Sequence, residues 1–203
     1  KTTSAYNHLR RIFTFLRDFG SDLAPMPPVF PEDNPTEPAD LENLRYCYRT
    51  NGESGYLFVN NFVRNHETKT HTRTFTIATN NGEVTFPEMT FASGDFGFYP
   101  YNLEMGSAKL LSTNAQPLCI LNDKTYVFFT DREPVYNIDG ELGDREIITL
   151  SSKDSLNASK VTVNGKDYLI VCDASYTQEG NKLTFAITCD TALKIYPAPD
   201  GSR

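Results

Sequence analysis

The richest source of acid–base chemistry in this 203-residue sequence is its scattered carboxylates: Glu53, Glu83, Glu88, Asp95, Glu104, Asp131 and Glu133. Cleaving a glycosidic bond takes two such groups flanking the scissile bond, about 5 Å apart or about 6.5–9.5 Å apart depending on stereochemical outcome. All seven fall in turns or at strand ends, where solvated charge is the ordinary state, so spacing along the chain identifies no catalytic pair. His66 and His71 flank ETKT with Glu67 beside them, but structural zinc takes four ligands and no cysteine is near. His8 lies on the first helix and reads as a surface or packing residue. A nucleophile turn of the GxSxG type is absent, and GSAKLL after Met105 lacks the GK[ST] of a phosphate loop. Asn157-Ala158-Ser159 matches the short glycosylation triplet. The chain therefore offers no catalytic residue, no metal set and no cofactor motif.

One segment stands apart. Residues 91–102, FASGDFGFYPYN, gather Phe96, Phe98, Tyr99 and Tyr101 around two glycines and a proline. In a mobile loop, such rings stack on the apolar face of a sugar while tyrosine hydroxyls bond its edge. These four are the candidate substrate-binding residues; the competing reading places them in the core or against a neighbouring domain.

The elements that must position these residues are mostly strands. RTFTIAT, NNG and EVTF form the clearest hairpin, because asparagine and glycine tolerate the positive φ of tight turns. LRYCYR leads through NGESG into YLFVNNFVR. AKLLS, PLCIL, TYVFFT and EIITL follow, then KVTV, YLIVC, KLTFAIT and ALKIYP. Turn signals at intervals of about 8–12 residues predict an antiparallel β-sandwich-like module over 43–203, with a division near 140 open. Ahead of it, residues 1–20 predict an amphipathic helix capped by Thr3 or Ser4 and ended by Gly20. Its apolar face is Leu9, Ile12, Phe13, Leu16 and Phe19. Residues 21–42 form a linker with six prolines at 25–38, which Leu23, Met26, Val29 and Phe30 can anchor.

Composition narrows the classes. Fourteen Phe and eleven Tyr suit pleated sheets. A net charge of −7 with scattered Lys and Arg argues against nucleic acid as a partner. No window approaches the roughly 18 apolar residues of a membrane span, so the chain reads as soluble, with no membrane partner. KTTSAYNHLRR lacks the apolar centre of a signal peptide. Cys47, Cys119, Cys172 and Cys189 form no CxxC and sit in apolar runs, so they read as core thiols.

Two stretches carry a family likeness. LRYCYRTNGESGYLFVNNFVRNHE resembles the start of the β domain that follows the catalytic barrel in family-35 glycoside hydrolases, the β-galactosidases. FASGDFGFYPYNLEMGSAKLLSTNAQPLC resembles the middle of that domain, and HLRRIFTFLRDFGSDLAPM resembles the closing helix of the barrel with its exit linker. The likeness covers residues 8–138 and weakens afterwards. It implies a barrel of the same polypeptide as partner, galactosides or oligosaccharides as substrate class, and both catalytic glutamates on the barrel; no position here matches their motifs. The expected function is a non-catalytic accessory domain that braces the barrel and shapes its entrance. An independent carbohydrate-binding module and a structural or adhesin β domain are the other classes the residues leave open.

Overall fold

The computed structural model describes residues 4–188 and 190–198, and the chain is mainly β. Thr3 and Cys189 lie outside the described residues. Two compact units divide it, and the division is not sequential. One unit comprises Gly20–Pro117 with Arg132–Arg145; the other comprises residues up to Phe19, Leu118–Asp131 and Glu146 onward. The chain crosses between the units four times, after Phe19, Pro117, Asp131 and Arg145.

Helix α1 spans Ser4–Leu23. It runs past Gly20, whose carbonyl accepts from Ala24 N–H at 2.9 Å. Gly20 does not adopt the left-handed conformation that would end a helix there. Pro25 stops the helix instead, since a proline disfavours helical geometry in the residue before it.

In the first unit, the Pro-rich linker is ordered. Leu23 and Met26 are buried anchors, whereas Phe30 is 70% exposed. Arg49 holds the linker through its Nε and Nη2, which donate to Met26 O at 2.8 Å and Ala24 O at 3.3 Å. Pro28–Val29 forms β1, a two-residue edge strand where proline's missing donor is tolerated. A six-stranded antiparallel sheet follows in the order β1, β2 (Arg45–Thr50), β3 (Gly55–Asn60), β8 (Phe96–Met105), β9 (Ala108–Thr113) and β12 (Tyr136–Asp139). Two smaller ladders pair β4 (His71–Arg73) with β7 (Met89–Phe91) and β5 (Thr76–Thr79) with β6 (Gly82–Thr85). The hairpin expected from RTFTIAT, NNG and EVTF forms as β5–β6, with Gly82 drawn from the turn into the strand opposite Thr79.

Strand alternation separates the two faces of the sheet. Leu57, Val59, Tyr99 and Tyr101 point one way and share a core cluster with Ile77, Val84 and Phe91 of the smaller ladders and with Phe75 and Phe86, which flank the β5–β6 hairpin. Its rings meet edge to face: Phe75–Phe91 at 6.2 Å, Phe91–Tyr99 at 6.2 Å and Phe86–Tyr101 at 6.1 Å. Such contacts add about 0.5–1.5 kcal/mol per pair beyond area burial. Tyr46 and Tyr48 border the same cluster.

In the second unit, β10 (Gln116–Leu121), β11 (Thr125–Phe129) and β13 (Glu146–Leu150) form one sheet, with β11 and β13 parallel. All five residues of β11 are buried, so its sequence TYVFF reads as a continuous apolar run rather than an alternation. A second sheet holds β14 (Ala158–Val163), β15 (Lys166–Cys172) and β18 (Leu193–Tyr196), and β16 (Ser175–Glu179) pairs with β17 (Lys182–Ala186). Helix α2, Ser152–Leu156, is capped by Ser151, whose Oγ accepts from Asp154 N–H at 3.0 Å.

Helix α1 meets this second unit with Arg11, Phe15 and Phe19, which recur at i, i+4 and are buried. Arg11 lies 4.4 Å from the Phe129 ring centroid and donates to Ser155 Oγ at 3.2 Å. Of the predicted apolar face, Phe19 is therefore inward, while Leu9, Phe13 and Leu16 are exposed. No described helix is long and apolar enough to cross a membrane.

Candidate functional site

The stretch FASGDFGFYPYN is not a mobile loop. Its first residue ends β7, Gly94 turns the chain at φ +91°, and Phe96 onward is the ten-residue strand β8. Asp95 closes the turn by accepting from Ala92 N–H at 2.8 Å. Pro100 fits inside a strand because pairing with β9 begins only at Tyr101, leaving Pro100 opposite Tyr56 of β3 alone.

The strand splits the four candidate rings. Tyr99 and Tyr101 are 1% and 0% exposed, so neither can stack on a ligand. Arg132 donates to the Tyr99 hydroxyl at 3.3 Å, and burial pushes up the pKa of both tyrosines. The neighbouring glycines make room for these rings. A Cβ on Gly97 would lie 2.5 Å from the Tyr99 hydroxyl, and one on Gly55 would lie 2.7 Å from that of Tyr101. Phe96 and Phe98 lie on the opposite face.

There they join residues that the sequence did not single out for binding, among them Cys47, which is half-buried on this outer face rather than a core thiol. Cys47, Phe58 and Phe98 form one register row across β2, β3 and β8, and Arg45, Asn60 and Phe96 form the next. The Phe58 and Phe98 rings are 6.3 Å apart and tilted by 34°. With Phe30 they line a groove of about 420 Å³. Several polar rim atoms are already engaged. Arg45 Nη2 donates to the carbonyls of Glu37, Pro38 and Asp40 at 3.0–3.1 Å. Asn34 exchanges two hydrogen bonds with the Tyr46 backbone, and Asn60 Oδ1 accepts from Phe62 N–H at 3.1 Å. The Cys47 thiol is free and half-buried, and burial raises its pKa. Cys119 and Cys172 are free and buried.

Of the seven candidate carboxylates, two share a surface feature with a third acid. Glu53, Glu83 and Asp139 line a polar depression of about 500 Å³ together with Lys109 and Asn137. All three acids are exposed. Glu104 and Lys109 pair at 2.9 Å, a hydrogen bond that raises the lysine pKa. Asp131 accepts from Ser152 N–H, and His71 sits on β4 opposite Phe91. Among the described residues, no three His, Cys, Asp or Glu side chains are arranged to hold a metal ion. Asn157 of the glycosylation triplet is the C-cap of α2, and its Ser159 is buried on β14.

A second surface feature belongs to α1. Tyr6, Leu9, Phe13 and Leu16 recur at helical spacing and are 52%, 52%, 63% and 39% exposed. The helix thus has two apolar stripes, one packed and one facing outward.

A scan against protein-family models and a search of curated proteins each return no match.

Proposed function

We propose that this chain is the non-catalytic β module of a β-galactosidase-like glycoside hydrolase, and that its catalytic barrel covers the outer stripe of α1. The observation that carries this reading is the stripe itself. An aligned row of Tyr6, Leu9, Phe13 and Leu16 on a helix already packed through its other side is the pattern of an element between two bodies. The likeness of residues 8–26 to a barrel's closing helix and exit linker supports a barrel as the second body. The exposed disposition of Glu53, Glu83 and Asp139 around Lys109 supports a bracing role rather than bond cleavage. A carbohydrate-binding module, in contrast, loses Tyr99 and Tyr101 to the core.

The test is the double substitution Leu9→Asp/Phe13→Asp. In the 203-residue chain it leaves the melting temperature within about 2 °C, since exposed positions tolerate polar residues. In the protein extended by the residues encoded ahead of Lys1, it lowers the melting temperature by about 5 °C or more. Equal effects in the two proteins would remove the barrel from the account.

A further inference from the structure

We propose that the groove across β2, β3 and β8 is a binding site for a small, uncharged aromatic molecule. This goes beyond the accessory-module reading and does not rest on it. The floor is the register row Cys47, Phe58 and Phe98, and Phe30 and Phe96 rise at the sides, 70% and 49% exposed. A volume of about 420 Å³ lies in the range of small-molecule pockets.

Three observations set the ligand class. The lining is a set of phenylalanine rings with a thiol, surfaces that favour offset or edge contacts with another ring and sulfur–aromatic contact. Arg45 Nη2, the Asn34 amide and Asn60 Oδ1 are engaged with the protein's own backbone. A sugar's hydroxyl groups would have to compete with the backbone for these atoms, whereas an aromatic ring needs none of them. The one charged rim group, Arg45, directs its Nη2 to the turn at Glu37–Asp40, so the groove is not built around a counter-charge.

Size argues for a small molecule over a protein. Three strands about 4.8 Å apart give a floor about 10 Å across, whereas a specific protein interface buries about 800 Å² on each partner. One or two fused rings fill such a floor.

The experiment is a fluorescence titration of the 203-residue chain with N-phenyl-1-naphthylamine, coupled to alkylation of Cys47 by N-ethylmaleimide near pH 8.5 and read by peptide mass spectrometry. Saturable one-to-one binding is expected. Phe96→Asp and Phe30→Asp weaken it by about ten-fold or more, while Phe13→Asp on the α1 stripe leaves it unchanged. Saturating probe slows Cys47 alkylation, and 2-naphthol displaces the probe while lactose does not. Unchanged affinity in both groove variants, or an unaltered Cys47 alkylation rate, overturns the proposal. Displacement by lactose would assign the groove to sugars instead, and a dimer that Phe96→Asp dissociates would assign it to a second copy of the chain; either result also overturns it.

Discussion

Asp18 and Lys160, separated by 142 positions in the chain, form a nearly solvent-free ion pair in which the ammonium reaches both carboxylate oxygens, at 3.0 and 2.9 Å. Their side chains are only 11% and 7% exposed. Lys160 also donates to Ile120 O at 2.6 Å and lies 3.2 Å from Asp167, and Asp18 accepts from Ile120 N–H at 2.8 Å. One charge cluster thus fixes α1 against β10, β14 and β15, and it sets how far the helix is rotated.

Removing the cation alone leaves the buried Asp18 carboxylate without its ammonium and takes from Asp167 its partner at 3.2 Å. Lys160→Met is expected to cost about 3–5 kcal/mol in urea unfolding. Adding Asp18→Asn keeps an acceptor for Ile120 N–H and removes one stranded charge, so the double variant should recover part of that loss. A Lys160→Met protein as stable as the parent would show that the cluster does not seat the helix.

Acid should loosen the same region. Burial pushes the Asp167 pKa upward, but hydrogen bonds from Thr162 and Lys160 and the charges of Lys160 and Arg17 outweigh it, leaving the pKa below its ordinary 3.8. A depressed carboxylate contributes stability above its unfolded pKa and loses it as pH falls through the folded value. The urea midpoint is therefore expected to drop as pH falls below about 4. Asp167→Asn should be less stable than the parent at neutral pH and show a shallower acid dependence; an unchanged slope would contradict the assignment.

The two faces of β8 predict opposite responses to the same kind of truncation. Tyr99→Ala empties a core site and should cost about 3–5 kcal/mol. Phe96→Ala, half-exposed on the outer face, should stay within about 0.5 kcal/mol of the parent. Gly55→Ala should also be costly, because the new methyl group would meet Arg49 O at 2.0 Å as well as the Tyr101 hydroxyl. Chemical unfolding of the three variants checks the pattern, and comparable losses at Tyr99 and Phe96 would refute it.

How legible each part was in the sequence follows from how local its determinants are. The β5–β6 hairpin was legible because Asn80, Asn81 and Gly82 set the turn and alternation sets the face. The β8 strand was obscured by Gly94, Gly97 and Pro100, which read as loop residues. In fact Gly94 turns the chain, Gly97 admits the Tyr99 ring, and Pro100 lies just ahead of the β9 ladder. The helix was visible, but its inward face was not. Leu9, Phe13 and Leu16 compete with Arg11, Phe15 and Phe19 for that role, and Asp18–Lys160 decides between them through a contact no local pattern reveals. The groove was hidden for a similar reason: Cys47, Phe58 and Phe98 come together only through strand register.

Hydrolysis of an aryl β-galactoside, measured side by side on the 203-residue chain and on the protein extended ahead of Lys1, addresses the division of labour most directly. The account predicts that the chain alone releases no aryl alcohol above the buffer rate, and that the extended protein turns the substrate over. Turnover by the chain alone that a single substitution of Glu53, Glu83 or Asp139 abolishes would contradict it.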